Sequence, residues 1–187
     1  MKPTSIQNLA VLATGLLLGL SAPLLADDED QSVRYLVTVA DDFVVDVYYD
    51  GKVVPDESRH LLAETFGATT ERIDVPVHQG DWIVFHVVND RMRWGGVSYF
   101  AAAGLQDENK FVFVSKISSA DWSACDDPSS ADRFIAEKNF LSDRPAREIA
   151  KPWGDGDRLM KKYAGDSWFG EPLWGRASDT WIKYIVP

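Results

Sequence analysis

Two pairs of closely spaced carboxylates come nearest, in type and spacing, to a catalytic arrangement. Asp41 and Asp42 are adjacent, and a single glycine separates Asp155 from Asp157. Glycoside hydrolysis uses two carboxyl groups that face each other across a sugar, about 5–9.5 Å apart, and neighbouring acids in one loop do not imply that geometry. Acids beside strands also stabilise turns by bonding to their own backbone. The pattern favours turn formation at Asp41 and Asp42, with an acid or base role for either pair as the alternative.

The stretch 153–158 reads "WGDGDR" and is the best metal candidate in the chain. Its alternating Asp-Gly-Asp is compatible with a calcium-binding loop, because calcium takes several oxygen ligands from a short bent segment. The stretch lacks the full D-x-D-x-D-G spacing of an EF-hand. The three histidines are too scattered for an HxxxH or HxH motif, and His86 is expected to be a satisfied core histidine. Asp155 and Asp157 are therefore the candidate calcium ligands.

Tryptophan is the most unusual residue type. Seven occur, and five of them lie between residues 122 and 181. A tryptophan side chain can be a core anchor or an exposed platform on which the apolar face of a sugar ring stacks. Trp82 and Trp181 fall within strand patterns and are expected to be buried. The candidates for ligand binding lie beside glycine or charge, where partial exposure is expected: Arg91, Arg93, Trp94, Trp153 and Trp168.

The dominant hydrophobic period is two, which is typical of strands. Asp50-Gly51, between a β-branched run and Lys-Val-Val, predicts a tight hairpin. The long stretch between Ser119 and Asp179 is polar and irregular, with helical periodicity only at Ala131–Phe140 and Asp157–Ala164. Strands are predicted at Val33–Ala40, Phe43–Asp50, Glu71–Val77, Asp81–Asp90, Gly95–Ala103, Lys110–Ser115 and Thr180–Pro187. The pattern predicts an all-β sandwich with one long, partly helical excursion before the final strand.

The N-terminal residues 1–26 are typical of a secretory signal peptide. Lys2 precedes an uncharged apolar stretch from Leu9 to Leu20, and Ala26 ends a segment that is followed directly by acids. An uncleaved membrane anchor is the alternative, although a stable span needs about 20 predominantly apolar residues. We therefore expect an exported protein with no transmembrane segment in the mature chain. The remaining 160 or so residues suit one domain.

Charge and cysteine content narrow the class of partner. Loss of Lys2 with the signal peptide would take the formal net charge from −10 to −11, so phosphate backbones and anionic lipids would be repelled and nucleic acid is not an expected partner. Cys125 is the only cysteine, which excludes an intramolecular disulfide. The neighbouring acids favour a small buried hydrophobe at Cys125 over a nucleophile or a dimer link, because they would raise the pKa of the thiol.

Short motifs along the chain resemble the galactose-binding-domain-like jelly roll of accessory modules in secreted bacterial proteins. The stretches that carry the likeness are "VADDFVVDVYYDGKVV", "HQGDWIVFHVVND" and "WGGVSYFAAAG". Further elements are "SSADWSAC" and "EPLWGRASDTWIKYIV". The matching positions are Asp41, Asp42, Asp50, Gly51, Lys52, Gly80, Asn89 and Gly96. The likeness spans nearly all of residues 33–187. It departs from the pattern at Asp50, where asparagine is usual, and in the long excursion Asp126–Asp166.

The resemblance implies non-catalytic recognition of a carbohydrate or another cell-surface polymer. We therefore expect a single binding domain over residues 33–187 that is not an enzyme and uses loop aromatics and acids, with calcium as a candidate structural ion. The alternatives are an exported hydrolase that uses the paired carboxylates and an envelope-structural protein that self-associates through its aromatic surface.

Overall fold

The structure is a computed structural model, which describes residues 32–65, 68–89, 98–141 and 154–187. The segment 1–26, which the sequence predicts to be a signal peptide, lies outside the described residues. Within the described ranges no helix is long and apolar enough to cross a membrane. These ranges form ten strands and two α-helices: β1 (Tyr35–Ala40), β2 (Phe43–Tyr49), β3 (Lys52–Val53), β4 (Arg59–Thr65), β5 (Ala68–Ile73), β6 (Trp82–Val88), β7 (Phe100–Asp107), β8 (Lys110–Val114), β9 (Trp122–Cys125), α1 (Pro128–Ala136), α2 (Gly154–Ala164) and β10 (Asp179–Ile185).

The strands form two antiparallel sheets, which confirms the predicted sandwich of two β-sheets. Sheet I has the strand order β4-β5-β1-β7-β8, and sheet II has the order β3-β2-β6-β10-β9. Two of the connections between the sheets lie close together. One joins β1 of sheet I to β2 of sheet II, and the other joins β6 of sheet II to β7 of sheet I. The residues between β1 and β2, and those between β6 and β7, therefore cross from one sheet to the other.

The main core lies between the two sheets. It is built from the inward-facing apolar residues of both sheets, as the alternation of apolar and polar residues in the strands predicts. Phe85 of β6 and Phe100 of β7 meet across the interface with ring centroids 4.9 Å apart. Trp122 and Trp174 are among the largest fully buried side chains of the described residues. The described tryptophans after residue 120, which are Trp122, Trp168, Trp174 and Trp181, are all buried.

Each helix covers the outer face of one sheet. The α1 helix packs Phe134 and Ile135 against Val84 and Trp181 of sheet II. The α2 helix buries an apolar face against sheet I, where alanines of β7 leave room for it, with Leu159, Met160 and Ala164 beside Ala101 and Ala103. This double covering explains why the strands under the helices are apolar on both faces.

The Asp50-Gly51 hairpin forms as predicted. Asp50 and Gly51 have φ angles of 48° and 76°, and Tyr49 pairs with Lys52 across the turn. Two successive positive φ values are those of a type I′ turn, which matches the twist of the strands on either side. The Asp50 side chain also accepts a hydrogen bond from the backbone amide of Trp82, at 3.1 Å. The turn is thereby fixed to the neighbouring strand.

Arg59 of β4 joins the edges of the two sheets. Its guanidinium donates to Glu71 of sheet I, at 2.8 Å, and to the carbonyl oxygens of Val44 and Val45 in sheet II, at 2.6 and 2.8 Å. The ion pair is mostly buried, with 14% and 13% of the two side chains exposed. Loss of Arg59 would leave a mostly buried carboxylate and two carbonyl groups without this donor.

We expect Arg59→Ala to lower the free energy of unfolding by about 2–3 kcal/mol, because buried groups lose a charged partner. Arg72→Ala is the matched control, since the Arg72–Asp74 pair is more than two-fifths exposed on both sides. Such an exposed pair contributes about 0–1 kcal/mol. Urea denaturation of both variants measures the difference. Equal losses for the two arginines would contradict the bridging role of Arg59.

Candidate functional site

Asp41 and Asp42 are buried at the point where the chain crosses from β1 of sheet I to β2 of sheet II. They are 3% and 4% exposed. Acidic residues are almost never this buried unless they are paired or hydrogen-bonded. The sequence indicated a turn here but gave no sign that the turn would be withdrawn from solvent. Two neighbouring buried acids are the most unusual electrostatic feature of the described residues.

The Asp41 carboxylate lies in a small buried network. Its Oδ2 atom accepts a hydrogen bond from Nδ2 of Asn89, at 3.0 Å, and the same Asn89 amide donates to Oγ of Ser98, also at 3.0 Å. The Asp41 backbone amide donates to the carbonyl oxygen of Tyr99, at 2.7 Å. The Asn89 backbone amide donates to the carbonyl oxygen of Ser178, at 2.7 Å. We call this end of the sandwich, where Asp41, Asn89, Ser98 and Tyr99 lie, the Asp41 end.

The Asp41 carboxyl group titrates near neutral pH. Burial raises its pKa from the ordinary value of 3.8 to about 7, and the negative charge of Asp42 contributes in the same direction. A hydrogen bond from the Asp42 backbone lowers the pKa but is a smaller effect. Burial disfavours the charged form of a carboxyl group, and a like charge adds to this. A pKa in this range is common at binding and catalytic sites, although structural networks also produce it.

Asp42 provides the bend between the two strands. Its φ angle is +60°, in the left-handed region, where aspartate is one of the few non-glycine residues that are tolerated. The hydroxyl of Thr69 in β5 donates to the Asp42 carbonyl oxygen, at 2.5 Å, and holds that conformation. This geometry agrees with the turn role that the sequence favours for the pair.

Tyr99 connects Asp41 with Asp157, one member of the second predicted acid pair. While the Tyr99 carbonyl accepts from Asp41, its hydroxyl donates to Oδ1 of Asp157 in α2, at 3.2 Å. Burial, together with the adjacent Asp157 charge, raises the pKa of Tyr99. The structure therefore brings one acid of each predicted pair to the same tyrosine.

The "GDG" stretch belongs to the first turn of α2. The helix begins at Gly154, and Gly156 packs directly on the Tyr99 ring: a Cβ atom there would lie 2.4 Å from Cζ of the tyrosine. Gly156 is therefore explained by close packing. Asp157 is exposed and helical, and the Asp155 side chain lies outside what the structure describes. Among the described residues no group of three or more His, Cys, Asp or Glu is arranged to hold a metal ion.

Four of the five predicted ligand-binding residues, Arg91, Arg93, Trp94 and Trp153, lie outside the described residues. The fifth, Trp168, is 7% exposed, so the expectation of partial exposure is wrong for it. Its ring packs with the apolar face of α2 and lies 6.2 Å from the Phe111 ring. Gly170 follows it so closely that a Cβ atom would lie 2.1 Å from the indole ring. Contact with α2 and Gly170 is the physical reason for its burial.

Three of the chain ends that flank segments 90–97 and 142–153 lie at the Asp41 end. Asn89 precedes segment 90–97 and Ser98 follows it, and the two are hydrogen-bonded to each other. Helix α2 follows segment 142–153, and its Gly156 packs against Tyr99. The chain therefore leaves and re-enters the described structure here on both sides of Arg91, Arg93 and Trp94, and re-enters it near here after Trp153.

His86, expected to be a core histidine with its hydrogen bonds satisfied, finds its hydrogen-bond partner at the surface of sheet II instead. Its side chain is 16% exposed, and Nε2 lies 2.6 Å from Oδ1 of Asp179. Its ring stacks on Trp181, with centroids 4.4 Å apart. Trp181 is 8% exposed and therefore buried, as predicted, whereas Trp82 is only partly buried.

Cys125 is buried. Burial raises the pKa of its thiol, and the charges of Asp127 and Asp126 add to this, which agrees with a structural cysteine.

Sequence reasoning did not single out Ser98 and Tyr99. Asn89 entered only as a matching position in the family resemblance, and no spacing ties it to Asp41, 48 positions away. No sequence signal brings them together; the two sheet-to-sheet crossings do so in the structure, because they place the ends of β1 and β6 side by side. A comparison of the chain with family models, with curated proteins and with solved structures found no match.

Proposed function

We propose that this protein is an exported, non-catalytic binding module that recognises a carbohydrate or another cell-surface polymer, built as a galactose-binding-like jelly roll. The proposal assigns ligand contact to Arg91, Arg93, Trp94 and Trp153. Their described neighbours in the chain, Asn89, Ser98 and Gly156, lie at the Asp41 end. Trp168 is withdrawn from that set because it is buried. Calcium at Asp155 and Asp157 is kept as a structural ion to be tested.

The observation that carries the proposal is the meeting of chain segments at the Asp41 end. Asn89, Ser98 and Gly156, which border the segments with the two arginines and two of the tryptophans, all lie within one hydrogen-bonded and packed group around Asp41 and Tyr99. Binding residues are commonly carried by loops that a rigid scaffold positions. A sandwich whose connections gather at one end provides such a scaffold.

The residue types in these segments suit sugar recognition. A tryptophan ring offers an apolar face to the C–H groups of a pyranose, and arginine offers several donors in a fixed geometry to hydroxyl oxygens. The described residues on either side of segment 90–97 are held in place, since Asn89 and Ser98 are both fixed by hydrogen bonds. A site built this way needs no acid exposed to water, which fits the burial of Asp41 and Asp42.

A glycan array probed with the wild-type chain, with calcium and with a chelator, tests the proposal. We expect binding to at least one glycan class, and a loss of about tenfold or more in affinity for Trp94→Ala and Trp153→Ala, since an aromatic anchor commonly contributes more than about 1.4 kcal/mol. Leu61→Ala is the control, because Leu61 is 62% exposed on edge strand β4. Absence of binding to every sugar, or unchanged affinity in both tryptophan variants, would count against the module.

A hydrolase is the second candidate, because one observation favours it. The pKa of Asp41, at about 7, lies in the range that suits a general acid or base at neutral pH. If bound glycans are cleaved, release of reducing ends should fall about a hundredfold or more in Asp41→Asn or Asp157→Asn. Binding without cleavage by the wild-type chain would leave the non-catalytic proposal standing.

A further inference from the structure

Phe169 is the most exposed aromatic side chain in the described part of the protein. It is 56% exposed, whereas its neighbour Trp168 is 7% exposed. It lies in the segment Gly165–Gly170, which connects the end of α2 with the edge of sheet I at β8. A large exposed apolar side chain is ordinary when it stands alone. Phe169 differs because the chain around it is fixed and a cation stands beside its ring.

Close contacts hold the segment that carries Phe169. Gly165 has a φ angle of +132°, and a Cβ atom on it would lie 2.1 Å from Oδ1 of Asn109. The same oxygen accepts from the backbone amide of Ser167, at 3.4 Å, and from its hydroxyl, at 3.3 Å. At the other end, Gly170 packs on the Trp168 ring. The position of the exposed ring is thus determined on both sides by glycines that leave no room for a side chain.

A second aromatic ring, from Phe111, and the ammonium group of Lys116 lie beside the exposed Phe169 ring. Phe111 of β8 meets Phe169 nearly perpendicularly, at 82°, with centroids 5.9 Å apart. The Lys116 ammonium lies 4.9 Å from the centroid of the Phe169 ring. A cation at this distance interacts favourably with the ring. Phe169 therefore presents an exposed aromatic ring with a positive charge directly beside it.

We propose that Phe169, Phe111 and Lys116 form a second binding site, separate from the Asp41 end, that takes an acidic sugar such as a uronate residue of a polysaccharide. The apolar C–H face of the pyranose stacks on Phe169, and the sugar carboxylate pairs with the Lys116 ammonium. The inference rests on the proposed carbohydrate-binding function. The second site extends that function to a negatively charged ligand. A chain of net charge −10 repels polyanions except where a local cation receives them.

Titration calorimetry with polygalacturonate and with its methyl-esterified, uncharged form tests the site. For polygalacturonate, Phe169→Ala should weaken binding about tenfold, whereas Phe169→Tyr, which keeps the ring, should stay within about twofold of the wild type. Lys116→Gln should weaken binding of the charged polymer and leave binding of the ester unchanged. Leu61→Ala on β4, at the opposite edge of sheet I, is the control and should bind like the wild type.

The outcomes separate this site from the proposed function as a whole. Binding of polygalacturonate that is lost in Phe169→Ala and Lys116→Gln but kept in Leu61→Ala supports the second site. Binding of glycans that Phe169→Ala leaves unchanged overturns the second site and leaves the Asp41 end as the binding region. If the protein binds neither polymer and no glycan on the array, both the second site and the carbohydrate-binding function are wrong.

Discussion

Replacing Asp41 with asparagine is expected to raise the free energy of unfolding at pH 8 by as much as about 4 kcal/mol. Burial raises the pKa of Asp41 from 3.8 to about 7, and raising a pKa by one corresponds to about 1.4 kcal/mol of free energy. Above pH 7 the folded protein must hold a buried carboxylate beside Asp42, whereas asparagine is uncharged at every pH. Its side-chain oxygen can still accept the hydrogen bond from Asn89.

The pH dependence follows from the direction in which the pKa of Asp41 moves on folding. Between about pH 4 and pH 7 the folded state keeps a proton on Asp41 that the unfolded state has released, so the folded state binds more protons. Stability therefore falls as the pH rises through this window. The wild-type chain should lose stability from pH 4 to pH 7, and Asp41→Asn should lose less. At pH 4 and below, the two proteins should differ little.

Guanidinium denaturation of the wild type and of Asp41→Asn at pH 4.5 and pH 8 measures this effect. Asp74→Asn is the matched control: Asp74 is exposed, and its hydrogen bonds with Arg72 and His60 lower its pKa, so its loss should not stabilise the protein at pH 8. A destabilised Asp41→Asn protein at pH 8 would contradict a raised pKa. The expected gain would mean that the chain retains a destabilising acid, which is typical of residues kept for function.

Gly156→Ala is expected to lower the free energy of unfolding by about 3 kcal/mol, at the upper end of overpacking substitutions. The new Cβ atom would lie 2.4 Å from Cζ of Tyr99, and neither the helix backbone nor the buried ring can move away freely. Alanine is otherwise the better helix former by about 1 kcal/mol, so a loss would be caused by the contact. The first turn of α2 and the Asp41 end should be disturbed together.

A double-mutant cycle with Tyr99→Leu measures the contact. In the Tyr99→Leu background Gly156→Ala should cost nothing and can stabilise the helix by up to about 1 kcal/mol, because the ring that the methyl group meets is gone. Equal costs in both backgrounds would show that the glycine is required for another reason. A thermal stability that depends on calcium in the wild type and not in Gly156→Ala would indicate that the glycine serves a calcium site, since a bound ion stabilises the folded state.

Local features of the chain were predictable from sequence because their causes are local. The Asp50-Gly51 hairpin depends on two residues that accept positive φ, and both do. The central strand β6 is apolar on both faces, as expected for a strand covered by a second sheet and by α1. The two helical segments were predicted, but with different bounds. The α1 helix begins earlier, at Pro128, because Asp127 accepts a hydrogen bond from the Ser129 amide as its N-cap, and it ends at Ala136 rather than Phe140. The α2 helix begins at Gly154 rather than Asp157.

Features that depend on distant contacts were missed. The edge strand β4 has no clear alternation, and its shape follows from pairing with β5 across a bulge. Trp168 stands beside glycine and charge in sequence, yet Gly170 and α2 bury it. The burial of Asp41 and Asp42 arises where two crossings between sheets meet, which no single segment reveals. The site was therefore predictable in residue type and not in environment.

The proposed role of the Asp41 end as the ligand site can be tested most directly by mapping amide chemical shifts as the tightest-binding neutral glycan of the array is added. We expect the largest changes at Asn89, Ser98, Tyr99 and Gly156, which border the segments with Arg91, Arg93, Trp94 and Trp153. Changes confined to other surfaces, such as edge strand β4, or no glycan that shifts any amide, would contradict a carbohydrate site at this end of the sandwich.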